Sequence, residues 1–333
     1  MLNVAIIGSG YIGSLHAQMV NLSEKVNLVA IAERNEEVGK KVAKEHGCKW
    51  YADARELLES EAIDIVDICL PTFLHEEYVL LAAEYKKHVL CEKPVALSVE
   101  VFDRMVQATK NAGVKFMVAQ SVRFSDMSIE IKKRYDAGEF GKVKMVYANR
   151  LTQHPAWAKW HRDPALSGGG LYDLHIHDVD FARYLFGPVK SVYALGYKNE
   201  DGCYNHVISS LTFANNVKAV IEGAYEMTEG FPFTTTFRLT GAQETIDYIM
   251  RAGANIKDAN EKKHLRAFRV GKQPKDVDTS KYPDGILAEI EHFADCIVED
   301  RDSEIVPLSQ SRAVLVILEA IQRSMETGQA VNL

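Results

Sequence analysis

Several features that mark common protein classes are missing from this sequence of 333 residues. No uncharged apolar run approaches the roughly 20 residues that a bilayer-spanning helix needs. Basic residues number 39 and acidic residues 46, which gives a net charge of −7. A chain of this charge is not expected to bind nucleic acid or an anionic membrane by general electrostatics. We therefore expect no nucleic-acid partner and no membrane partner.

Cysteine is scarce and scattered. The five cysteines form no Cys-x-x-Cys pair, and their number is odd. This pattern predicts reduced thiols rather than a disulfide framework. The first residues contain neither a basic region nor a small-residue cleavage site, so no signal peptide is expected. Together these observations predict a cytoplasmic protein.

The composition is that of an ordinary globular protein, with 47% hydrophobic and 26% charged residues. The chain is about twice as long as one hydrophobic core usually serves, which favours two domains. No repeat, low-complexity tract or long Pro/Gly/Ser linker is present. The two domains are therefore expected to be joined closely.

Strands and helices alternate in the first third of the sequence. Short apolar runs typical of strands lie at 2–7, 27–32, 63–69, 88–91 and 114–119. Helical patterns separate these runs, and this order predicts a parallel, doubly wound sheet. We assign residues 1–121 to a Rossmann domain whose ligand lies beyond the carboxyl ends of the strands.

The pattern changes after about residue 121. Runs rich in Val, Tyr, Thr and Phe follow one another with short turns, which indicates a mostly antiparallel sheet. Helical segments flank these runs. We assign residues 122–333 to an α+β domain whose sheet keeps one face open for a partner.

A glycine motif of the form G-x-G-x-x-G follows the first predicted strand and opens the first predicted helix. Its members are Gly8, Gly10, Tyr11, Ile12 and Gly13, with a serine between the first two glycines. The first glycine allows a tight turn, the second lets backbone N–H groups approach a pyrophosphate, and the third lets helix and strand pack closely. The motif therefore predicts a dinucleotide-binding loop.

Glu33 stands 20 residues after the last glycine, at the end of the second predicted strand. A carboxylate here accepts hydrogen bonds from the adenosine ribose and disfavours a 2′-phosphate, which favours NAD. Arg34 beside it is suited to grip a 2′-phosphate, so NADP stays possible. We expect NAD as the cofactor.

The tripeptide Glu92-Lys93-Pro94 follows the strand predicted at 88–91. A parallel sheet delivers side chains at this end of a strand into its ligand cleft, and the proline stiffens the backbone there. Lys93 is therefore a candidate catalytic residue. The alternative is an exposed lysine without a role in catalysis.

A second candidate for catalysis lies on one predicted helix after the glycines at 168–170. At helical spacing Asp173, His177 and Asp180 share one face. A carboxylate one turn before a histidine orients the imidazole and raises its basicity, as a general base requires. The glycines before it allow a ligand to approach the backbone closely.

A metal site is the competing interpretation, because His175, His177, Asp178 and Asp180 are all possible ligands. On a helix His175 and His177 point to opposite sides and cannot share one ion. We therefore expect no metal, and we expect His175 to be a packed or hydrogen-bonded histidine.

Taken together, these motifs resemble the Gfo/Idh/MocA family, which includes glucose-fructose oxidoreductase and inositol dehydrogenase. The resemblance rests on the glycine motif, the segments 71–75, 92–94 and 120–124, and the helix with Asp173, His177 and Asp180. His175 occupies a position where the family usually has glycine. The resemblance implies Lys93, Asp173 and His177 as the catalytic set and a homodimer or homotetramer formed through the C-terminal sheet.

The same resemblance implies further site residues. Positions beside the ribose and nicotinamide are Cys69, Leu70, Pro71, Thr72, His75, Glu92 and Gln120. Candidate substrate contacts are Arg123, Trp157, Trp160, Arg162 and Asp180. Each of the tryptophans and arginines has an alternative role in packing or in an ion pair.

The function we expect is hydride transfer between NAD(P) and a secondary alcohol or ketone of a sugar or cyclitol. His177 acts as the base, Lys93 stabilises the alkoxide and Asp173 orients the imidazole. One alternative is a glycosidase or lyase that uses bound NAD transiently. Another is a cofactor-sensing protein without turnover, but such a protein has no need of a proton relay.

Overall fold

The computed structural model describes residues 1–154, 159–252 and 262–333. The chain divides into two compact units. The first comprises Met1–Phe124 and Pro283–Arg312, and the second comprises Ser125–Tyr282 and Ala313–Leu333.

A six-stranded sheet forms the centre of the first unit. Its strands are β1 (Leu2–Ile7), β2 (Val26–Ala32), β3 (Lys49–Tyr51), β4 (Ile65–Ile68), β5 (His88–Glu92) and β6 (Phe116–Ala119). The order is β3-β2-β1-β4-β5-β6, and every adjacent pair is parallel. This confirms the predicted doubly wound sheet. Its strand order reverses between β1 and β4, where ligands of such sheets bind.

The described part of the chain contains ten α-helices. In chain order they are α1 (Tyr11–Leu22), α2 (Glu36–His46), α3 (Ala54–Ser60), α4 (His75–Glu84), α5 (Val99–Ala112), α6 (Asp126–Asp136), α7 (Pro164–Ser167), α8 (Ile176–Phe186), α9 (Gly285–Val298) and α10 (Leu308–Thr327). Helix α5 illustrates how sequence fixes the ends: Ser98 accepts a hydrogen bond from the Val101 N–H, and Gly113 closes the helix in the left-handed conformation.

The segment 283–312 lies far along the chain but belongs to the first unit. Helix α9 buries Ile290, Phe293 and Ala294, and it contacts both α1 and β5. This segment falls within residues 122–333, which were predicted to form the second domain. The amphipathic pattern of α9 predicts a buried face, but it does not say which core that face joins.

A nine-stranded sheet forms the centre of the second unit. Its strands are β7 (Val143–Leu151), β8 (Val189–Lys198), β9 (Tyr204–Phe213), β10 (Lys218–Ala224), β11 (Thr234–Gly241), β12 (Glu244–Arg251), β13 (Lys262–Arg269), β14 (Lys275–Asp276) and β15 (Val331–Asn332). The order is β14-β13-β12-β11-β7-β10-β9-β8-β15. β7 and β10 run parallel, and the other neighbouring pairs are antiparallel. The predicted mostly antiparallel sheet is confirmed.

The two faces of this sheet differ in exposure. On β9, Val207 and Leu211 are fully buried, whereas Ile208 between them is exposed. On β8, Leu195 and Tyr197 are about 60% exposed. This period of two gives the sheet one buried face and one face with large exposed apolar side chains. Across the described residues, no helix has the length and hydropathy of a membrane span.

Candidate active site

The loops at the carboxyl ends of β1 and β4 are in contact. Gly8, directly after β1, has a φ of +92°, which favours glycine. A Cβ at Gly8 would lie 2.8 Å from the carbonyl oxygen of Cys69, the first residue after β4. Only a residue without a side chain fits this turn.

The other two glycines of the motif have different surroundings. A Cβ at Gly13 would lie 1.9 Å from the Gly8 carbonyl oxygen, so the protein's own packing requires glycine there. A Cβ at Gly10 would meet nothing within 4 Å. Gly10 caps α1 without a side-chain hydrogen bond. The first turn of α1 therefore presents backbone N–H groups beside open space, as an anion-binding helix start requires.

Glu33, directly after β2, is held in place by neighbouring donors. Its Oε2 accepts hydrogen bonds from the Ser9 N–H at 3.0 Å and the Ser9 hydroxyl at 3.2 Å. Its Oε1 accepts one from the Asn35 N–H at 3.0 Å. Arg34 next to it is exposed and donates to the Tyr78 hydroxyl. The carboxylate thus lies next to the glycine loop, as the sequence predicts for a ribose-binding residue.

The loop after β4 carries Cys69, Leu70, Pro71 and Thr72, the last of which is buried. His75 at the start of α4 is also buried, and its Nε2 lies 2.8 Å from the Leu70 carbonyl oxygen. Its Nδ1 lies 3.3 Å from the Val95 carbonyl oxygen. Burial lowers the pKa of His75. A neutral His75 has one N–H, which donates to the nearer carbonyl, that of Leu70 in the loop after β4.

The Glu-Lys-Pro tripeptide lies at the end of β5, as predicted. The Glu92 Oε2 accepts a hydrogen bond from the Lys93 N–H at 2.9 Å. Lys93 itself is partly exposed, and Gln120 after β6 is buried. Arg123 is 2% exposed and donates to the Ile305 carbonyl and the Gln310 side chain within the first unit. These hydrogen bonds hold the Arg123 side chain within the first unit, and its contact with substrate stays a prediction.

Sequence reasoning missed a buried polar cluster formed by side chains of α1, β4 and β5. His16 on α1 is fully buried, with Nδ1 2.8 Å from Asp67 Oδ2 and Nε2 3.1 Å from Glu92 Oε1. Burial disfavours the charged form of His16, but the Asp67 carboxylate and neighbouring groups outweigh it, so the pKa of His16 lies well above its usual value. The signal was available: a histidine on the buried face of α1 and an aspartate inside an apolar strand require partners.

In the second unit, Asp173 lies on a π-helical turn, Leu171–His175, that continues into α8. Its Oδ2 accepts a hydrogen bond from the buried Tyr225 hydroxyl and lies 3.4 Å from His161 Nδ1. Burial, together with the field of Asp173, raises the pKa of Tyr225 well above its usual value, so the phenol stays a donor. Sequence reasoning missed Tyr225, His161 and the π turn, a form that recurs at functional sites.

His175, at the end of the π turn, and His177, just after it, differ in burial. His175 is fully buried, with Nε2 2.8 Å from the Ser209 hydroxyl on β9. Burial lowers the pKa of His175 to about 3. His177, on the first turn of α8, is only half-buried. The expectation that His175 is a hydrogen-bonded core histidine is confirmed.

The remaining predicted residues of the second unit are placed as follows. Asp180 is fully buried on α8. Trp160 is half-buried and stacks on His161 with ring centroids 3.9 Å apart, and Arg162 is exposed. Trp157 lies outside the described residues. Asp178, which the metal hypothesis had considered, forms a buried ion pair with Arg150 at 2.9 Å.

The residues of the first unit fit a dinucleotide. The space beside Gly10 leaves room for a pyrophosphate, the start of α1 supplies donors, and the fixed Glu33 carboxylate supplies an acceptor for ribose hydroxyls. The parallel sheet with this loop defines the class of Rossmann dinucleotide-binding proteins. Comparison with known proteins specifies the family.

Residues 2–120 match the model of an oxidoreductase family with an NAD-binding Rossmann fold. Residues 129–247 match the C-terminal domain of the same family. The chain belongs to the Gfo/Idh/MocA family of oxidoreductases, which confirms the resemblance seen in the sequence. The expected NAD(P)-dependent oxidoreductase with an NAD-binding Rossmann domain is confirmed with it.

Individual relatives agree with this assignment. Myo-inositol 2-dehydrogenase of Thermotoga maritima is 31% identical over 69% of this chain and 70% of its own length. 2,7-anhydro-N-acetylneuraminate hydratase of Escherichia coli is 30% identical over 67% of this chain and 61% of its own length. The crystal structure of aldose-aldose oxidoreductase from Caulobacter crescentus superposes with a TM-score of 0.88 at 25% identity, covering 100% of this chain and 99% of that one.

Proposed function

We propose that this protein is an NAD-dependent dehydrogenase that oxidises a secondary alcohol of a sugar or cyclitol and also catalyses the reverse reduction. One observation carries the proposal: in addition to a dinucleotide-binding unit, the chain has a half-buried histidine one helical turn after a buried carboxylate. A protein that only binds a dinucleotide needs no such pair. The myo-inositol dehydrogenase and aldose oxidoreductase relatives support polyols as the substrate class.

In the proposed mechanism, the glycine loop and Glu33 would hold a nicotinamide dinucleotide, which would supply the acceptor for the hydride of the carbinol carbon. His177 takes the hydroxyl proton at its imidazole as the C–O double bond forms. The Lys93 ammonium stabilises the negative charge that develops on the oxygen. In the reverse direction His177 returns the proton to the same oxygen.

Asp173 supports this proton transfer as an ionised carboxylate. The Tyr225 hydroxyl donates to it, and the high pKa of that buried phenol keeps the proton on Tyr225. An ionised Asp173 favours the protonated imidazole that His177 becomes after accepting the substrate proton. His161, 3.4 Å from the same carboxylate, adds a second imidazole to this group.

For the cofactor, the proposal is a preference for NAD over NADP. Three hydrogen bonds from Ser9 and Asn35 fix the Glu33 carboxylate, so it cannot turn away from a 2′-phosphate. Arg34 is the residue that would accept NADP, and its guanidinium donates to Tyr78 instead. Repulsion between a fixed carboxylate and a phosphate therefore favours NAD.

For assembly and location, the proposal is a cytoplasmic homodimer or homotetramer that forms through the nine-stranded sheet. The exposed apolar side chains on β8 and β9, among them Tyr193, Leu195, Tyr197 and Ile208, support an interface on this face. The five cysteines are free, which supports a reducing compartment.

The hydratase relative favours a second candidate function. Its name denotes addition of water rather than a net oxidation. An enzyme of that kind would hold NAD tightly, oxidise its substrate transiently and return the hydride before release. The same Lys93, Asp173 and His177 would serve both reactions.

A screen of absorbance in the NADH band tests the proposal. The protein is mixed with NAD and a panel of inositols, aldoses and their acids. A rising band with one polyol, absent in His177→Asn, is the expected result. Substrate consumption without a rising band would establish the second candidate. Binding of NAD with no conversion of any substrate would leave a cofactor-sensing protein and contradict both.

A further inference from the structure

The buried cluster of His16, Asp67 and Glu92 contains two short nitrogen–oxygen contacts. A carboxylate accepts hydrogen bonds but does not donate them. Each of the two contacts of His16, at 2.8 Å and 3.1 Å, therefore needs a proton between nitrogen and oxygen. The simplest arrangement is an imidazolium between two carboxylates, and the raised pKa of His16 agrees with it.

The other titratable groups that face the cluster add no positive charge. The Cys69 thiol lies 3.6 Å from Asp67 Oδ1, and burial raises the pKa of this thiol, so it stays neutral. Glu289 from α9 is fully buried, and burial together with the field of Glu92 raises its pKa well above the usual value. Glu289 is therefore a neutral carboxylic acid. His16 therefore places a positive charge between the side chains of Asp67 and Glu92, within 3.1 Å of both.

His16 also connects two parts of the candidate cofactor site. It lies on α1, whose first turn forms the anion-binding helix start. Its Nε2 holds Glu92 Oε1, while Glu92 Oε2 holds the Lys93 N–H at 2.9 Å. Both carboxylate oxygens of Glu92 thus accept hydrogen bonds. This fixes the backbone of Lys93, the residue directly after β5. The imidazole joins the helix that receives the pyrophosphate to the strand end that carries Lys93.

We propose that His16 is a positioning residue for the nicotinamide end of the cofactor, acting through Glu92 on the end of β5. The inference rests on the proposed function, because it presupposes a dinucleotide whose nicotinamide lies beside Lys93. Without His16, Asp67 and Glu92 would be two buried carboxylates with no cation between them. Glu92 would then be held from one side only, by the Lys93 N–H.

Binding of two ligands separates this role from general support of the fold. NADH carries the nicotinamide, whereas ADP-ribose keeps the adenosine, the pyrophosphate and the second ribose but lacks it. In His16→Gln we expect the Kd for NADH to rise about tenfold, as for the loss of one hydrogen bond to a charged group. The Kd for ADP-ribose should change little. Glu92→Gln should show the same difference, and the double variant should lose no more than either single one.

His88→Gln is the matched control, because His88 is half-buried at the other end of β5 and accepts a hydrogen bond from the Lys115 N–H. This variant should leave the ratio of the two Kd values unchanged. Equal losses for NADH and ADP-ribose in His16→Gln would overturn the positioning role, as would additive losses in the double variant. A wild-type protein that binds neither ligand would instead contradict the proposed function.

A measurement on the wild-type protein covers the case in which His16→Gln does not fold. Nitrogen-15 spectra of the histidine rings should show both nitrogens of His16 protonated at about pH 8, where an ordinary histidine is neutral. NADH should shift these signals more than ADP-ribose does. A neutral His16 ring, or equal shifts with both ligands, would contradict the proposal.

Discussion

The two units assemble their polar residues in different ways. In the first unit, Gly8, Glu33 and Glu92 lie at the ends of three separate strands, and they share one edge of the sheet because all six strands are parallel. In the second unit, Asp173 and His177 come from one short stretch of helix. A site on a parallel sheet thus combines residues that lie far apart in the sequence. A site on a helix combines residues that are three or four positions apart.

Each unit also contains a fully buried histidine. His16 lies between two carboxylates and has a raised pKa, whereas His175 faces a serine hydroxyl and has a pKa near 3. Burial alone lowers the pKa of both. The neighbouring charges decide whether a buried histidine is an ion or a neutral hydrogen-bonding group.

The largest expected effect tests whether the second unit supplies the base and the first unit binds the cofactor. His177→Asn removes the proposed base and should lower turnover of a polyol about 10²- to 10⁴-fold, the usual contribution of general base catalysis. The Kd for NADH should stay near the wild-type value, because cofactor binding is assigned to the first unit. Steady-state kinetics and a fluorescence titration measure the two quantities. Turnover that survives the change would transfer the role of base to Lys93.

Two glycine variants of the full chain test the dinucleotide-binding loop of the first unit. Gly13→Ala places a methyl group against the Gly8 carbonyl oxygen, and overpacking of this kind costs about 1–3 kcal/mol of stability. Gly10→Ala meets open space in the protein and should leave the thermal unfolding temperature unchanged while it weakens NADH binding. If Gly10→Ala binds NADH as the wild type does, the pyrophosphate does not approach Gly10.

The buried histidines predict opposite dependences of stability on pH. The folded-state pKa of His175 lies near 3, below its unfolded value of about 6.5. As pH falls below 6.5, the unfolded chain binds a proton that the folded protein cannot, so stability is lost. The loss at pH 5 amounts to about 2 kcal/mol, to order of magnitude.

For His16 the sign is reversed, since its folded-state pKa is raised. Its stabilisation is fully present below about pH 6.5 and is lost as pH rises through the folded pKa.

Urea unfolding between pH 5 and 8 should show a weaker acid dependence in His175→Asn than in the wild type. Parallel curves for the two proteins would exclude a neutral, buried His175.

The smallest expected effect concerns the support of Asp173. Tyr225→Phe keeps the aromatic ring but removes the hydroxyl that donates to the carboxylate. We expect turnover to fall about tenfold, the effect of one hydrogen bond to a charged group. NADH binding should not change. A matched variant, Tyr282→Phe, removes a hydroxyl that donates to the Glu130 carboxylate in the same unit and should leave turnover at the wild-type level.

The sequence predicted most of the fold and part of the candidate site. Strand periodicity located both sheets, and the glycine motif with Glu33 located the dinucleotide loop, because these signals are local. The membership of α9 in the first unit, the cluster around His16 and the contact of Tyr225 with Asp173 are not local. They depend on which surfaces meet after folding, and one-dimensional spacing does not specify this. The π turn at Asp173 was also missed, because apolar and polar spacing does not distinguish it from an α-helical turn.

Transfer of deuterium tests the central claim most directly. The protein is incubated with NAD and polyols that carry deuterium on their carbinol carbons, beginning with ring-deuterated myo-inositol, and the cofactor is analysed by mass spectrometry. We predict one deuterium in the nicotinamide for each molecule of ketone formed, and none with His177→Asn. Ketone formed with an unlabelled cofactor, or no labelled cofactor with any member of the panel, would contradict hydride transfer by this protein.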